Sequence, residues 1–171
     1  MLEVREELNK FAKYVIQQSR SNLTKGKKNA SKELYNSLGY ISQDNKNMSS
    51  VTFTMADYGK FQDQGVKGTK SNYIENAKSP FSYKSKMPPP KAFDKWIVRK
   101  GIAPRTKSGK FLKRQSLQYL IAKSVFEKGI KASMFFTKPF EAAFKRLPDD
   151  ILNAYSIGII NKLKVQFENQ K

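Results

Sequence analysis

The sequence predicts an α+β fold: a small antiparallel sheet packed by a long N-terminal helix, a central helical hairpin and a C-terminal helix. Three patterns carry that prediction. Apolar residues recur at steps of three and four from residue 2 to about residue 20. The period drops to two at Val51-Thr52-Phe53-Thr54-Met55, the alternation of a half-buried strand. Helical spacing then returns between Met87 and Ile130, interrupted once by a basic connector. At 171 residues, 39% of them hydrophobic, the chain is expected to form one domain over 1–171, with 71–86 and 103–114 as exposed excursions.

In the first helix Val4, Leu8, Phe11, Ala12, Val15 and Ile16 share a face, leaving Glu6, Glu7, Lys10, Lys13 and Gln17 outside. A basic turn containing Lys25-Gly26-Lys27-Lys28 follows. Residues 31–38 then make two helical turns, with Leu34 and Leu38 on one side and Gly39 as the stop. Tyr40-Ile41-Ser42 and Val51 to Met55 read as two strands joined by the turn residues Gln43 to Asn47. One face of such a sheet is wet and the other needs a helix.

The hairpin begins after Pro88-Pro89-Pro90, since proline's fixed φ suits a first helical turn. Phe93, Trp96, Ile97 and Lys100 fall at helical spacing, and Trp96 is expected in the core against Val51, Phe53 and Met55. In the second helix Leu117, Leu120, Ile121, Ser124 and Val125 form one stripe. Both helices end on Lys-Gly-Ile, at Lys100-Gly101-Ile102 and Lys128-Gly129-Ile130, a pattern suited to a left-handed glycine cap. Thr137-Lys138-Pro139 opens a short helix with Phe140, Ala143 and Phe144. The last helix starts at Pro148-Asp149-Asp150, with acids at the positive dipole end, and runs to about Phe167. Its apolar residues cover more than one stripe, which marks Tyr155, Ile159, Leu163 and Phe167 as candidates for an oligomer contact.

Charge narrows the function. With 33 basic and 14 acidic residues the net charge is +19, which points to a polyanion or an acidic protein surface as partner. The candidate contact residues are Arg99, Lys100, Arg105, Lys107, Lys110, Lys113 and Arg114, along the hairpin and its connector. The chain has no histidine and no cysteine, which removes the commonest general base, thiolate ligands and disulfides. Its carboxylates are scattered, so no catalytic residue, metal site or cofactor is expected and the chain reads as a non-enzyme. Gly59, Gly65 and Gly68 punctuate the stretch from Tyr58 to Thr69. Gly59 and Gly65 stand one residue too far apart for a phosphate-cradling loop, and Val66 occupies the lysine position. These glycines are expected instead to supply positive φ where the chain leaves the sheet. The acidic N-terminus predicts no signal peptide, and no run approaches the roughly 20 apolar residues of a membrane span. A soluble protein made in a cytoplasm is expected.

The order of these features resembles the minor virion proteins of tailed bacteriophages known as tail-completion, neck or head–tail joining proteins. The resemblance rests on Ser31, Leu34 and Ser37 at a helix end, then Tyr58, Phe61, Asp63 and Gly65 in the glycine loop. It continues through Pro89, Trp96, Lys100 and Gly101, then Ile121, Ala122, Lys128 and Gly129, then Phe135, Phe136 and Pro139. It covers the chain from about residue 5 to 146 and departs from the family pattern at Lys28 to Ser31 and in its high positive charge. The resemblance implies an α+β structural protein of the virion, assembled as a homo-oligomeric ring of six or twelve copies at the portal–tail junction. Its implied partners are other virion rings and packaged double-stranded DNA. The competing expectation from the residues alone is a free nucleic-acid-binding protein making non-specific electrostatic contacts.

Overall fold

The computed structural model describes residues 2–45, 48–153 and 156, and the chain is α+β as its periodicities predict. Its contacts group into two compact units. One comprises 1–22, 36–55 and 135–171, the other 23–35 and 56–134.

The first unit is built on helix α1, Leu2–Lys25, and the hairpin of β1, Gly39–Asn45, with β2, Met48–Thr54. The strands pair antiparallel with Tyr40 opposite Phe53 and Ile41 opposite Thr52. Both strands run further than the apolar residues alone suggest. Residues 43–45, expected as turn, continue the ladder because backbone hydrogen bonds do not depend on side-chain polarity, and Ser49 donates across the strands to Asp44 at 2.5 Å. Phe53 alternates inward, with Phe11, Phe136 and Phe140 at ring-centroid distances of 5.9, 5.3 and 5.9 Å, all edge-to-face. Phe140 lies on α6, Thr137–Phe144, and stacks on Phe144 at 5.7 Å. Each such pair contributes about 0.5–1.5 kcal/mol beyond its area. Beside this cluster Ala12, Val15, Ile16, Leu38, Phe135, Ala143 and Leu147 are buried. Arg20 donates to the Leu38 carbonyl at 2.8 Å and Asn22 to that of Phe135 at 3.2 Å, tying the strand entry and the α6 entry to one helix. The chain is helical again over 147–153. Tyr155, Ile159, Leu163 and Phe167, the expected oligomer-contact residues, lie outside the described residues.

α1 is one turn longer than its apolar stripe predicts, because Ser19 returns its hydroxyl to the Val15 carbonyl and Leu23 is buried. It ends in a Schellman turn. The Lys28 N–H donates to the Leu23 carbonyl and the Lys27 N–H to that of Thr24, and Lys27 itself takes φ +52°. Gly26 stands one residue before that left-handed position.

The second unit carries helices α2, Glu33–Ser37 (shared in part with the first), α3, Gly59–Gln64, α4, Asp94–Arg99, and α5, Arg114–Lys128. Two-residue strands β3, Val66–Lys67, and β4, Gly129–Ile130, pair antiparallel, and Ser82 bridges Lys67 in parallel. Asn76, fully buried, holds this small sheet. Its Nδ2 donates to the carbonyls of Val66 and Ile130 at 2.9 and 2.8 Å, and its Oδ1 accepts from the Ala132 N–H at 2.8 Å. Gly65 sits against it at φ +75°, where a Cβ would overlap the Asn76 amide and the backbone of Ile130 and Ala132.

Four expectations are corrected in this unit. Residues 71–86 are not an exposed excursion throughout. Asn76 and Ser79 are buried, Phe81 meets Phe61 at 4.6 Å and Tyr83 meets Phe126 at 5.9 Å. Trp96 is 38% exposed and Ile97, at 4%, is the buried residue of α4, because a helix of six residues turns one position inward and its predecessor lies about 100° away. On α5 the buried face is Leu117, Gln118 and Ala122, with Leu120 and Ser124 outside. Gln118 is held in because its amide donates to Asp94 at 2.6 Å. The two Lys-Gly-Ile stops also differ. Gly101 caps α4 at φ +61° with Ile102 N–H bonded to the Ile97 carbonyl, whereas Gly129 opens β4 at φ +85°, ψ −171°.

Candidate polyanion-binding cleft

The residues expected to meet a polyanion divide into two places. The connector from Ala103 to Arg114 is exposed, but it is a small folded hairpin. Arg105 pairs antiparallel with Phe111, its guanidinium lies 3.9 Å from the Phe111 ring centroid, and its Nη1 donates to the Gly109 carbonyl at 2.9 Å. Thr106 and Lys110, and Leu112 and Pro104, close the backbone around it. Lys107, Lys110 and Lys113 on this element are exposed to solvent. Arg114 begins α5 and lies 3.6 Å from Asp94.

Arg99 and Lys100 belong instead to a cleft of about 600 Å³, whose walls also carry residues with no role in the sequence expectation. Lys27, Lys28 and Lys32 come from the connection after α1, Lys95 and Arg99 from α4, and Lys100 from its C-cap. Between these cations lie Leu34, Tyr58, Tyr83, Phe93, Trp96, Val125 and Ile130. The local folding that assembles the rim is specific. The Schellman turn projects Lys27 and Lys28, and Lys100 Nζ donates to the Lys27 carbonyl at 2.7 Å, so the end of α4 is tied to that turn. The short α4 then presents Trp96 and Arg99 outward while Ile97 anchors it.

Lys28 is held below its ordinary pKa, first by burial against its neighbours and then by repulsion from Lys100 and Lys131. Tyr58 is pushed up, chiefly by burial and also by Glu33, while its phenol bonds the Ser31 side chain and the Leu34 backbone. Glu33 is the acid on the cleft wall. The lining includes Gln62, whose Nε2 is buried without a hydrogen-bond partner. Cations on the rim, carbon walls and an unsatisfied donor together suit a ligand that is anionic and partly apolar.

The cleft lies wholly within the second unit, and so does the charge. Of the 33 basic side chains 22 are in that unit, against six of the 14 acids, a net +16 of the total +19. No group of three or more acidic side chains among the described residues is placed to hold a metal ion. Among the described residues no helix is long and apolar enough to cross a membrane.

The expected loop glycines have three different roles. Gly59 is buried at the start of α3, Gly65 supplies the positive φ, and Gly68 lets the chain pass the Glu127 carbonyl, with which a Cβ would collide. One signal in the sequence marks the cleft residues outside the expectation: the basic run Lys25-Gly26-Lys27-Lys28, expected only as a turn. No family model, no curated protein and no solved structure matches this chain.

Proposed function

We propose that the chain is a structural subunit of a tailed-phage virion, forming a ring at the portal–tail junction and carrying no catalytic activity. The reading rests on the ordered resemblance over residues 5 to 146. Its support is that several of the residues carrying the resemblance hold the fold, although Ser31, Tyr58, Pro89, Trp96, Lys100 and Lys128 are exposed. Leu34, Asp63, Ala122 and Phe135 are buried, Gly65 has positive φ, and Gly101 caps α4. Positions of that kind specify a scaffold rather than a surface, so they are where a shared architecture is expected to persist. The neighbours in this reading are other virion rings, with packaged DNA as a further contact.

Purified virions give the test. A ring subunit occurs in them at a multiple of six copies, and depleting it leaves heads and tails unjoined. Particles that lack the protein and join normally would end this reading.

A second reading, a free DNA-binding protein, is favoured by the gathering of +16 in one unit. It requires tight binding of duplex DNA by the isolated protein, independent of sequence and with a log–log salt slope of roughly −0.9 per phosphate contacted.

A further inference from the structure

We infer that the cleft between the α1–α2 connection and α4 is a docking site for an extended acidic segment of a neighbouring virion protein, with an apolar side chain of that segment seated on its carbon wall. That the segment comes from a virion neighbour rests on the proposed function; the chemistry of the cleft does not.

Charge complementarity sets the sign of the occupant. Lys27, Lys28 and Lys32 of the α1–α2 connection line the cleft together with Lys95, Arg99 and Lys100 of the α4 segment, so the carboxylates of an extended chain can meet cations from both elements. The cations remain crowded enough to depress Lys28, a repulsion that an incoming anion relieves. The walls then choose between kinds of polyanion. A single-stranded nucleic acid binds to rows of free aromatic faces. Here Tyr58 is tethered through its phenol, Tyr83 is in T-shaped contact with Phe126, and Phe93 and Trp96 are set among Leu34, Val125 and Ile130, so the wall is mixed carbon rather than a row of free rings. Aliphatic carbon accepts a leucine or phenylalanine side chain, and the Gln62 Nε2, buried without a partner beside it, is a donor that a peptide carbonyl or carboxylate can satisfy once the side chain turns toward it. A duplex carries its phosphates on a convex surface and does not enter a recess. About 600 Å³ falls in the range of roughly 300–1,000 Å³ that encloses a compact ligand or a short stretch of chain.

Trp96 is the chain's one tryptophan and lines the cleft, so its fluorescence reports occupancy directly. The intact protein is titrated with four probes: a ten-residue peptide mixing glutamate and leucine, an all-glutamate decamer, a ten-residue oligo-dT and a 20-base-pair duplex. The mixed peptide is expected to saturate the Trp96 signal at least five-fold more tightly than the decamer or the oligo-dT. The double variant Lys28→Gln/Arg99→Gln is expected to lose that affinity ten-fold or more. Lys107→Gln/Lys110→Gln, on the connector hairpin, should leave it unchanged, with circular dichroism checking that both variants are folded. Tighter oligo-dT binding at Trp96 would overturn the inference in favour of nucleic acid. So would equal affinity for the two peptides, or insensitivity to the cleft variant, or no saturable signal. Peptide binding in a protein that virions do not contain would instead overturn the proposed function and leave the cleft chemistry standing.

Discussion

At the scale of single residues, the two lysines of the Schellman turn have opposite thermodynamic signs from what a stable surface would select. Lys27 occupies a left-handed position that costs a side chain about 1 kcal/mol. Lys27→Gly is therefore expected to raise unfolding stability by about that amount in urea, and a loss of stability would show that the lysine side chain has a holding role. Lys28 has a folded-state pKa below its unfolded one, so the folded state binds that proton less tightly. The charged lysine thus opposes folding at neutral pH, and stability rises as pH increases through the alkaline range just below the ordinary lysine value of 10.5. Lys28→Gln should raise Tm at neutral pH and flatten that alkaline rise. Trp96→Ala, expected from the sequence to remove a core residue, should cost less than the ~3–5 kcal/mol of a fully buried aromatic truncation because the indole is 38% exposed. Its fluorescence should be readily quenched by acrylamide. The sequence could place Trp96 on a helix, but helical spacing does not tell which of two adjacent apolar residues turns inward. Ile97 was decided by the packing around it.

At the scale of elements, what was legible followed local periodicity and what was not depended on residues far apart. α1, the β1–β2 hairpin, the alternation that puts Phe53 inward and the Gly101 cap were all readable, because each is fixed within a few residues. The β3–β4 pair was not, because two residues per strand carry no period and the pairing is held by Asn76 from elsewhere in the chain. The cleft was half legible: Arg99 and Lys100 were singled out, but the basic turn facing them needed the tertiary fold. The connector, expected only as an exposed excursion over 103–114, has a fold of its own because Arg105 lies against Phe111. Phe111→Ala should release it, speeding tryptic cleavage at Lys107 and Lys110 several-fold while leaving global stability within about 0.5 kcal/mol. Unchanged cleavage would assign the order of the connector to its backbone bonds alone.

At the scale of the whole molecule, a net +16 confined to one compact unit makes that unit repel itself wherever the charges are not paired. Added salt screens such repulsion over about 10 Å at 0.1 M. Thermal stability should therefore increase between 20 and 200 mM NaCl, with sulfate or phosphate giving a larger rise at equal ionic strength if anions settle among the cleft lysines. A fall in Tm with salt would mean that the ion pairs Lys70–Glu127 and Lys131–Glu75 outweigh the excess charge. The Asn76 amide adds a consequence in time. It joins residues up to 56 positions apart, while β1 and β2 pair residues that are near neighbours in sequence. Contacts that distant require a long loop to close first, so they form slowly. The first unit's hairpin can be in place while the strands around Asn76 are still apart, and the Ala132 amide becomes a clock for the last step. In pulsed hydrogen exchange during refolding it should gain protection after the amides of β2.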